Sequence, residues 1–265
     1  MTLPFASPRP VIGMLHLPAL PGSPRASLGL DAIREWMLRD AEALAAGGVD
    51  GLMLENFGDT PFYPGRVPAH TVAAMAVLAR EVKARFPLPL GINLLRNDGP
   101  GALAVAASTG AGFVRVNVFT GARLTDQGII QGEAHEVLRL RRLLGCAVQI
   151  FADVAVKHSV PLGPRTLEDE VEDTVRRAHA DAIIVSGSGT GKVTDPEHLR
   201  CAREAAGGAP VLAGSGAEPG QAAALLRHAD GLIVGTAFKR DGITTNPVDA
   251  GRVRAFMEAV REAGG

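Results

Sequence analysis

The chain has 265 residues, with 27 basic and 28 acidic side chains and a formal net charge of −1. This length can form one large α/β domain or two small ones with a full core, and the balanced charge gives no electrostatic footprint for a nucleic acid or an anionic membrane. Residues 1–10 contain three prolines and no apolar run, so we expect neither a signal peptide nor a membrane-spanning helix. Cys146 and Cys201 are interpreted as apolar packing residues rather than as members of a disulfide or a metal site, which indicates a reducing, cytoplasmic compartment.

Eight short apolar segments, several rich in β-branched residues, predict buried strands, and segments of helical period lie between them. Strict alternation of strands and helices requires parallel pairing through crossovers, so the chain is predicted to be a single (β/α)8 TIM barrel spanning residues 1–265. An open doubly wound sheet is the alternative, although it usually has fewer strands. The predicted strands are 10–16, 51–55, 88–94, 113–119, 147–154, 182–186, 211–213 and 231–234, and the helices include 31–46, 70–85, 133–144, 167–178, 196–206 and 247–263.

The lengths of the connections support the barrel. The links from helix to strand are short, whereas four of the links from strand to helix are long, at 17–30, 56–69, 120–132 and 157–166. Long loops are uncommon in compact domains unless they have a function, and in a barrel these would lie at the carboxyl ends of the strands, where active sites are built. Two Pro-rich stretches, 17–24 and 60–68, are predicted to be semi-rigid covers of that face.

The last three predicted strands all end in small residues, which predicts a phosphate site. Glycine lets the backbone approach a ligand closely, and successive N–H groups in a turn form an anion-binding concavity. The alternative is that these glycines serve only the turns. The sequence His-Ala-Asp also precedes two of these strands, at 179–181 and 228–230. The predicted phosphate-binding residues are Ser186, Gly187, Ser188, Gly189, Thr190, Gly191, Gly214, Ser215, Gly216, Gly235 and Thr236.

Polar residues occur at the ends of the first five predicted strands, where they would converge on the mouth of a barrel. Burying Glu55, Arg115 or Asp153 without a partner would be costly, so these side chains must pair or face a ligand. Asp153 and Lys157 both point into the mouth if the alternation of the fifth strand continues through Lys157. The candidate catalytic residues are His16, Glu55, Asn93, Arg115, Asn117, Asp153, Lys157 and His158.

Three chemistries suit this set of residues, and the sequence leaves them open. An acid/base site would use Asp153 or Glu55 with Lys157 or His16. A Schiff-base site would require a desolvated Lys157. A divalent-metal site could use His16, Glu55, Asp153 and His158, but no His-x-His pair occurs and no cofactor is predicted. The structural alternative is that Lys157 only neutralises buried carboxylates.

Residues 11–24, VIGMLHLPALPGSP, resemble the opening signature of the BtpA/SgcQ family. Further segments extend the resemblance over nearly the whole chain: 51–59 with Pro61 and Phe62, 91–93, 115–117, 153–158 and 186–191. The resemblance implies a TIM barrel of the ribulose-phosphate-binding type. It also implies two functions, one in photosystem I biogenesis with peripheral thylakoid association, and one as an enzyme of sugar utilisation.

Together these observations predict an enzyme, a lyase, isomerase or hydrolase, acting on a phosphorylated sugar or nucleoside-type small molecule at the carboxyl-terminal face. The alternative is a non-catalytic biogenesis or stabilisation factor for photosystem I or another membrane complex. We expect a homo-oligomer without nucleic acid as a partner, and membrane association, where it occurs, to be peripheral.

Overall fold

The computed structural model describes residues 2–187, 194–214 and 216–264. Within these ranges eight parallel strands close into a barrel, which confirms the predicted fold class. All eight apolar segments predicted as strands contain one, although several strands are shorter than predicted. The barrel strands are β1 (Val11–His16), β2 (Gly51–Glu55), β3 (Leu90–Asn93), β4 (Phe113–Val116), β7 (Gln149–Val154), β9 (Ala182–Val185), β10 (Val211–Gly214) and β11 (Gly231–Val234), and three further strands, β5 (Ala122–Thr125), β6 (Gly128–Gln131) and β8 (Ser159–Pro161), lie outside the barrel.

Helices follow the barrel strands and surround them, as the alternation in the sequence predicts. The fifth helix continues as a π-helical turn over Asp173–Arg177, and short 3-10 turns precede the last two helices. None of the helices in the described part of the chain is long and apolar enough to cross a bilayer. The α-helices are α1 (Leu30–Gly47), α2 (Ala69–Arg85), α3 (Gly99–Thr109), α4 (Ala134–Leu143), α5 (Leu167–Glu172), α6 (Pro196–Ala205), α7 (Ala222–Leu225) and α8 (Ala250–Gly264).

The core has two layers, because the barrel strands are buried on both faces. Inside the barrel, Phe113 and Phe151 stack with ring centroids 4.7 Å apart. Phe5 from the amino-terminal segment packs edge-on against Phe113 at 5.5 Å, so this segment covers the bottom of the barrel. A larger apolar layer between the strands and the helices makes up the rest of the core.

The repeated His-Ala-Asp sequence has a structural explanation. Asp181 and Asp230 stand just before β9 and β11, and the carboxylate of each accepts a hydrogen bond from the backbone N–H at or near the start of the neighbouring strand. Asp50, before β2, accepts from the N–H of Val11 in the same way. These carboxylates satisfy N–H groups that the ends of the parallel ladder leave unpaired.

Two of the long loops carry a small sheet that the sequence does not predict. β5 pairs antiparallel with β6 and with β8, so the loops after β4 and after β7 are joined. Arg123 of β5 makes two hydrogen bonds to the carboxylate of Glu170, one at 3.0 Å and the other at 3.1 Å, and this pair anchors the sheet to α5. The sheet therefore supports the segment around Lys157 that enters it.

Candidate active site at the mouth of the barrel

A cavity of about 260 Å³ lies at the carboxyl ends of the barrel strands, on the face where the long loops were expected. The predicted catalytic and phosphate-binding residues come from strands far apart in the sequence, and most of them meet here. Those that line the cavity are His16, Glu55, Arg115, Asn117, Asp153, Lys157, His158, Gly214, Gly216, Gly235 and Thr236.

Arg115 and Asp153 form a buried ion pair across the neighbouring strands β4 and β7. Arg115 donates from Nε and from a terminal nitrogen to the two carboxylate oxygens of Asp153, each at 2.8 Å, and Asn117 donates to the same carboxylate at 3.0 Å. Burial lowers the pKa of Arg115, but the charge and hydrogen bonds of Asp153 outweigh that effect and leave the pKa raised. The partner that neutralises Asp153 is therefore Arg115.

The predicted site residues Asn93 and Ser186 do not line the cavity, but both contact residues that do. Asn93 is buried and donates to the Arg115 carbonyl at 3.0 Å and to the side-chain oxygen of Asn117 at 3.2 Å. Ser186 donates to the carbonyl of Gly214 at 2.5 Å. Both side chains therefore hold residues that line the cavity.

Lys157 reaches the cavity by a route that differs from the expected one. β7 ends at Val154, and Ala155 has a left-handed backbone with φ of 49°, so the strand alternation does not continue to Lys157. The loop nevertheless directs Lys157 into the cavity. Arg96 donates to the Lys157 carbonyl at 2.6 Å, whereas the Lys157 ammonium makes no ion pair with any described residue.

The environment favours the neutral form of the Lys157 amine more than water does. Burial lowers the pKa of Lys157 to about 8, the charge of Arg115 adds to that shift, and the charge of Asp153 opposes it. At pH 7 the amine is still mostly protonated, but about a tenth of it is neutral and able to take a proton or to attack a carbon atom, far more than for an ordinary lysine.

His16 and Glu55 form a second polar pair at the ends of β1 and β2, with His16 Nε2 lying 3.6 Å from a Glu55 carboxylate oxygen. Burial lowers the pKa of His16 well below its usual value, and the charge of Lys239 lowers it further. Burial raises the pKa of Glu55, and the charge of Arg115 opposes that shift. His16 is thus neutral at pH 7, and at 3.6 Å the two groups are close neighbours rather than hydrogen-bond partners.

Arg96, in the loop after β3, is a site residue that the sequence analysis missed. It is buried and lines the cavity, and burial lowers its pKa. A basic residue directly after the apolar pair Leu94 and Leu95, past a strand end, is the signal that could have identified it. With Arg96 included, three cationic and two anionic side chains line the cavity, which favours an anionic ligand.

The last two barrel strands bring small residues to the same cavity. A side chain at Gly235 would place its Cβ 2.7 Å from His16 Cε1, so only glycine allows the backbone to approach this closely. Gly214, Gly216 and Thr236 also line this side. Gly187 does not line the cavity, and the predicted residues Ser188, Gly189, Thr190, Gly191 and Ser215 lie outside the described residues.

The divalent-metal alternative does not fit the donors in the described part of the chain. No three His, Cys, Asp or Glu side chains there are arranged to hold a metal ion. Of the four residues considered, Asp153 already accepts hydrogen bonds from Arg115 and Asn117.

The fold and the cavity define a closed (β/α)8 barrel with a cation-rich polar site at its mouth. The chain belongs to the BtpA family, whose sequence profile matches residues 7–262. It is 47% identical to the photosystem I biogenesis protein BtpA of Synechocystis, over 97% of this chain and 90% of that protein. An uncharacterised protein of Thermococcus kodakarensis is 46% identical, over 96% of each chain, and the sgc region protein SgcQ of Escherichia coli is 36% identical, over 94% and 93%.

Solved structures share the fold at low sequence identity. A native KDPGal structure superposes with a TM-score of 0.60 at 15% identity, covering 100% of this chain and 99% of that one. KGPDC from Streptococcus mutans gives a TM-score of 0.59 at 13% identity, with coverage of 98% and 100%. Orotidine 5′-phosphate decarboxylase from Pyrococcus horikoshii gives 0.59 at 16% identity, with coverage of 95% and 99%. These likenesses establish the barrel.

Proposed function

We propose that the protein is an enzyme that acts on a small phosphorylated molecule bound in the cavity at the barrel mouth. The proposal depends on one observation: the Lys157 amine, which makes no ion pair with any described residue, lines the same cavity as the small residues Gly214, Gly216 and Gly235 at the ends of the last two barrel strands. In parallel barrels the loops after the last two strands commonly hold phosphate. The excess of cationic side chains supports an anionic ligand.

In this proposal the polar residues have different tasks. The Lys157 amine is the reacting group, either as a general acid/base or as the nucleophile that forms a Schiff base with a carbonyl carbon. His16 and Glu55 move protons at the opposite wall. Arg115 and Asp153 neutralise each other, and their bidentate contact gives the cavity a polar wall of fixed geometry. A lyase or isomerase reaction of a phosphorylated sugar fits these groups best.

The test is a thermal-shift screen of the wild-type protein against phosphosugars, nucleotides and their unphosphorylated counterparts, followed by turnover assays with the compounds that bind. We expect stabilisation only by phosphorylated compounds. Lys157→Met should stay folded, still bind the phosphorylated ligand, and lose turnover by about three orders of magnitude or more.

Lys83→Met is the matched control, because Lys83 lies on α2 away from the cavity. Borohydride added during turnover separates the two chemistries, since it traps a Schiff base on Lys157 and leaves an acid/base enzyme unmodified. Full turnover by Lys157→Met would contradict the proposed role, and equal stabilisation by unphosphorylated compounds would contradict the phosphate site.

A second candidate function is non-catalytic, and the name of the Synechocystis relative favours it. In that case the barrel would serve as a photosystem I biogenesis factor, and the cavity would bind a ligand without converting it. Complementation of a strain lacking the protein distinguishes the two functions. Rescue by Lys157→Met equal to rescue by wild type supports the non-catalytic factor, and failure of a stably expressed Lys157→Met supports the enzyme. For either function we propose a cytoplasmic homo-oligomer.

A further inference from the structure

A second cavity, of about 320 Å³, lies beside the first and is not used by the proposed reaction. Both Pro-rich loops predicted as covers line it, with Gly22, Ser23 and Pro24 from one loop and residues 61–64 from the other. Phe62 and Leu95 line both cavities and form the wall between them. Residues 22–24, the end of the distinctive string 17–24, therefore line the second cavity, and no residue of that string lines the first.

Hydrogen bonds fix the wall between the two cavities. Asn56 is buried at the end of β2, and its side-chain oxygen accepts from the Leu95 N–H at 2.8 Å. The amide nitrogen of Asn56 donates to Asp59 at 3.0 Å, and the other oxygen of Asp59 accepts from the Leu20 N–H at 2.7 Å. Three loops are thus tied together through two side chains, so the second cavity is pre-formed, as ligand pockets usually are.

The turn at Gly22 is also shaped for this arrangement. Gly22 has φ of 98°, in the left-handed region, and a Cβ at this position would lie 2.4 Å from Nε2 of His70. A larger residue would have to push the loop or His70 out of place. The close approach brings Ser23 and Pro24 over the cavity.

The lining of the second cavity differs in chemistry from that of the first. Phe62, Tyr63 and several prolines provide flat apolar surface, and Tyr63 is 55% exposed. No Lys or Arg of the described chain lines it, and the carboxylate of Asp59 already accepts two hydrogen bonds. The buried hydroxyl of Ser23 has no hydrogen-bond partner there, and Thr71 supplies a second hydroxyl. An uncharged ring with hydrogen-bonding edge atoms suits such a lining.

We propose that the second cavity binds an uncharged heteroaromatic ring, of the nucleobase kind, that belongs to the same ligand whose phosphate lies in the first cavity. Phe62 packs against the part of the ligand that joins the two groups, Tyr63 covers the ring, and the Ser23 hydroxyl bonds to its edge. This inference rests on the proposed function, and it narrows the substrate class from small phosphorylated molecules in general to phosphorylated ribosides.

The experiment measures binding of four probes to the full-length protein by calorimetry: ribose 5-phosphate, adenosine 5′-monophosphate, uridine 5′-monophosphate and adenosine. We expect at least one nucleotide to bind about tenfold or more tightly than ribose 5-phosphate, the gain that stacking of one base gives. Tyr63→Ala should remove the extra affinity for the nucleotide and leave the affinity for ribose 5-phosphate unchanged. Tyr63→Phe is the matched control and should retain the gain.

Two results would overturn the inference. In the first, neither nucleotide binds more tightly than ribose 5-phosphate. In the second, a nucleotide keeps its gain in affinity in both Tyr63→Ala and Ser23→Val. Its failure is distinguishable from failure of the phosphate site. If ribose 5-phosphate binds and the base adds nothing, the proposed function stands and the inference falls. If adenosine binds in a Tyr63-dependent manner while ribose 5-phosphate does not bind, the ring site stands and the phosphate site falls.

Discussion

At the scale of single residues, the site depends on which buried charge has a partner. The side chains of Arg115 and Asp153 are 7% and 1% exposed, and the two groups satisfy each other in a bidentate contact. Lys157 lies in the same cavity without an ion pair among the described residues. The ion pair therefore has a large structural role, while the amine is available for chemistry.

Asp153→Asn should destabilise the fold strongly, because it leaves the Arg115 charge buried without its partner. Loss of one member of a buried pair costs about 3–5 kcal/mol. Urea unfolding would measure this cost as a lower midpoint. Glu197→Gln is the matched control, since the Glu197–Arg200 pair lies exposed on α6, and no measurable change is expected there. An Asp153→Asn protein as stable as the control would show that water reaches the pair.

The lowered pKa of Lys157 predicts a dependence of stability on pH. The amine titrates at about 8 in the folded protein, against an ordinary value of about 10.4. Between these two pH values the unfolded chain holds a proton that the folded chain has released. The contribution of Lys157 to the free energy of unfolding therefore increases as pH rises from 8 to 10.

The measurement is the difference in unfolding free energy between wild type and Lys157→Met across that range. The difference should change with pH in favour of the wild type as pH rises, and Lys83→Met should show no such change. A pH-independent difference would mean that Lys157 titrates as an ordinary exposed lysine.

At the scale of the elements, aspartates at strand starts connect neighbouring strands in a parallel barrel. One carboxylate oxygen of Asp181 accepts from the Ile150 N–H at 2.8 Å and from Arg141 at 2.6 Å. This contact links β9 to β7 at the amino end of the barrel, far from the cavity. The repeated His-Ala-Asp sequence therefore concerns stability rather than binding.

Asp181→Ala should cost about 1–3 kcal/mol, the penalty for leaving a buried donor unsatisfied. Thermal unfolding would show it as a lower midpoint with unchanged ligand binding. His179→Asn provides the control from the same sequence, because His179 is exposed and asparagine tolerates its left-handed φ of 53°. Equal effects of the two substitutions would contradict a strand-joining role of Asp181.

At the scale of the whole molecule, the barrel is closed at its bottom by residues that precede β1. The ring of Phe5 packs under the barrel, where a Cβ on Gly51 would lie 2.5 Å from it, and Gln149 donates to the Thr2 carbonyl at 3.0 Å. The two ends of the barrel are therefore different: an apolar plug at the bottom and a polar cavity at the mouth.

Phe5→Ala should lower the free energy of unfolding by about 2 kcal/mol, less than the loss for a fully buried phenylalanine because Phe5 is half-buried. Chemical denaturation would measure the loss, and ligand affinity at the mouth should not change. Leu143→Ala is the control, since Leu143 is 81% exposed at the end of α4. If both variants unfold at the same denaturant concentration, the amino-terminal segment contributes nothing to the core.

The sequence alone was sufficient for the barrel and for most of the cavity lining. Strand and helix periods reflect local burial, and parallel strands bring their carboxyl ends to one rim, so polar residues at those ends had to converge. The alternation also implies a helix before the fourth barrel strand, where α3 lies, although α3 is rich in Ala and Gly and has no polar face to reveal its period. The same reasoning failed for β5, β6 and β8, because β5 pairs with β8 across two loops, with Arg123 opposite Pro161 and Thr125 opposite Ser159.

Only the tertiary structure decided which charges pair and how the loops meet. Asp153 is four residues from Lys157 in the chain, yet its partner is Arg115, 38 residues away on the adjacent strand. The left-handed turn at Ala155 redirects Lys157, and the contact of Asn56 with Leu95 separates the two cavities. Such contacts depend on side-chain distances of a few ångströms between distant segments, and neither periodicity nor spacing in the sequence carries that information.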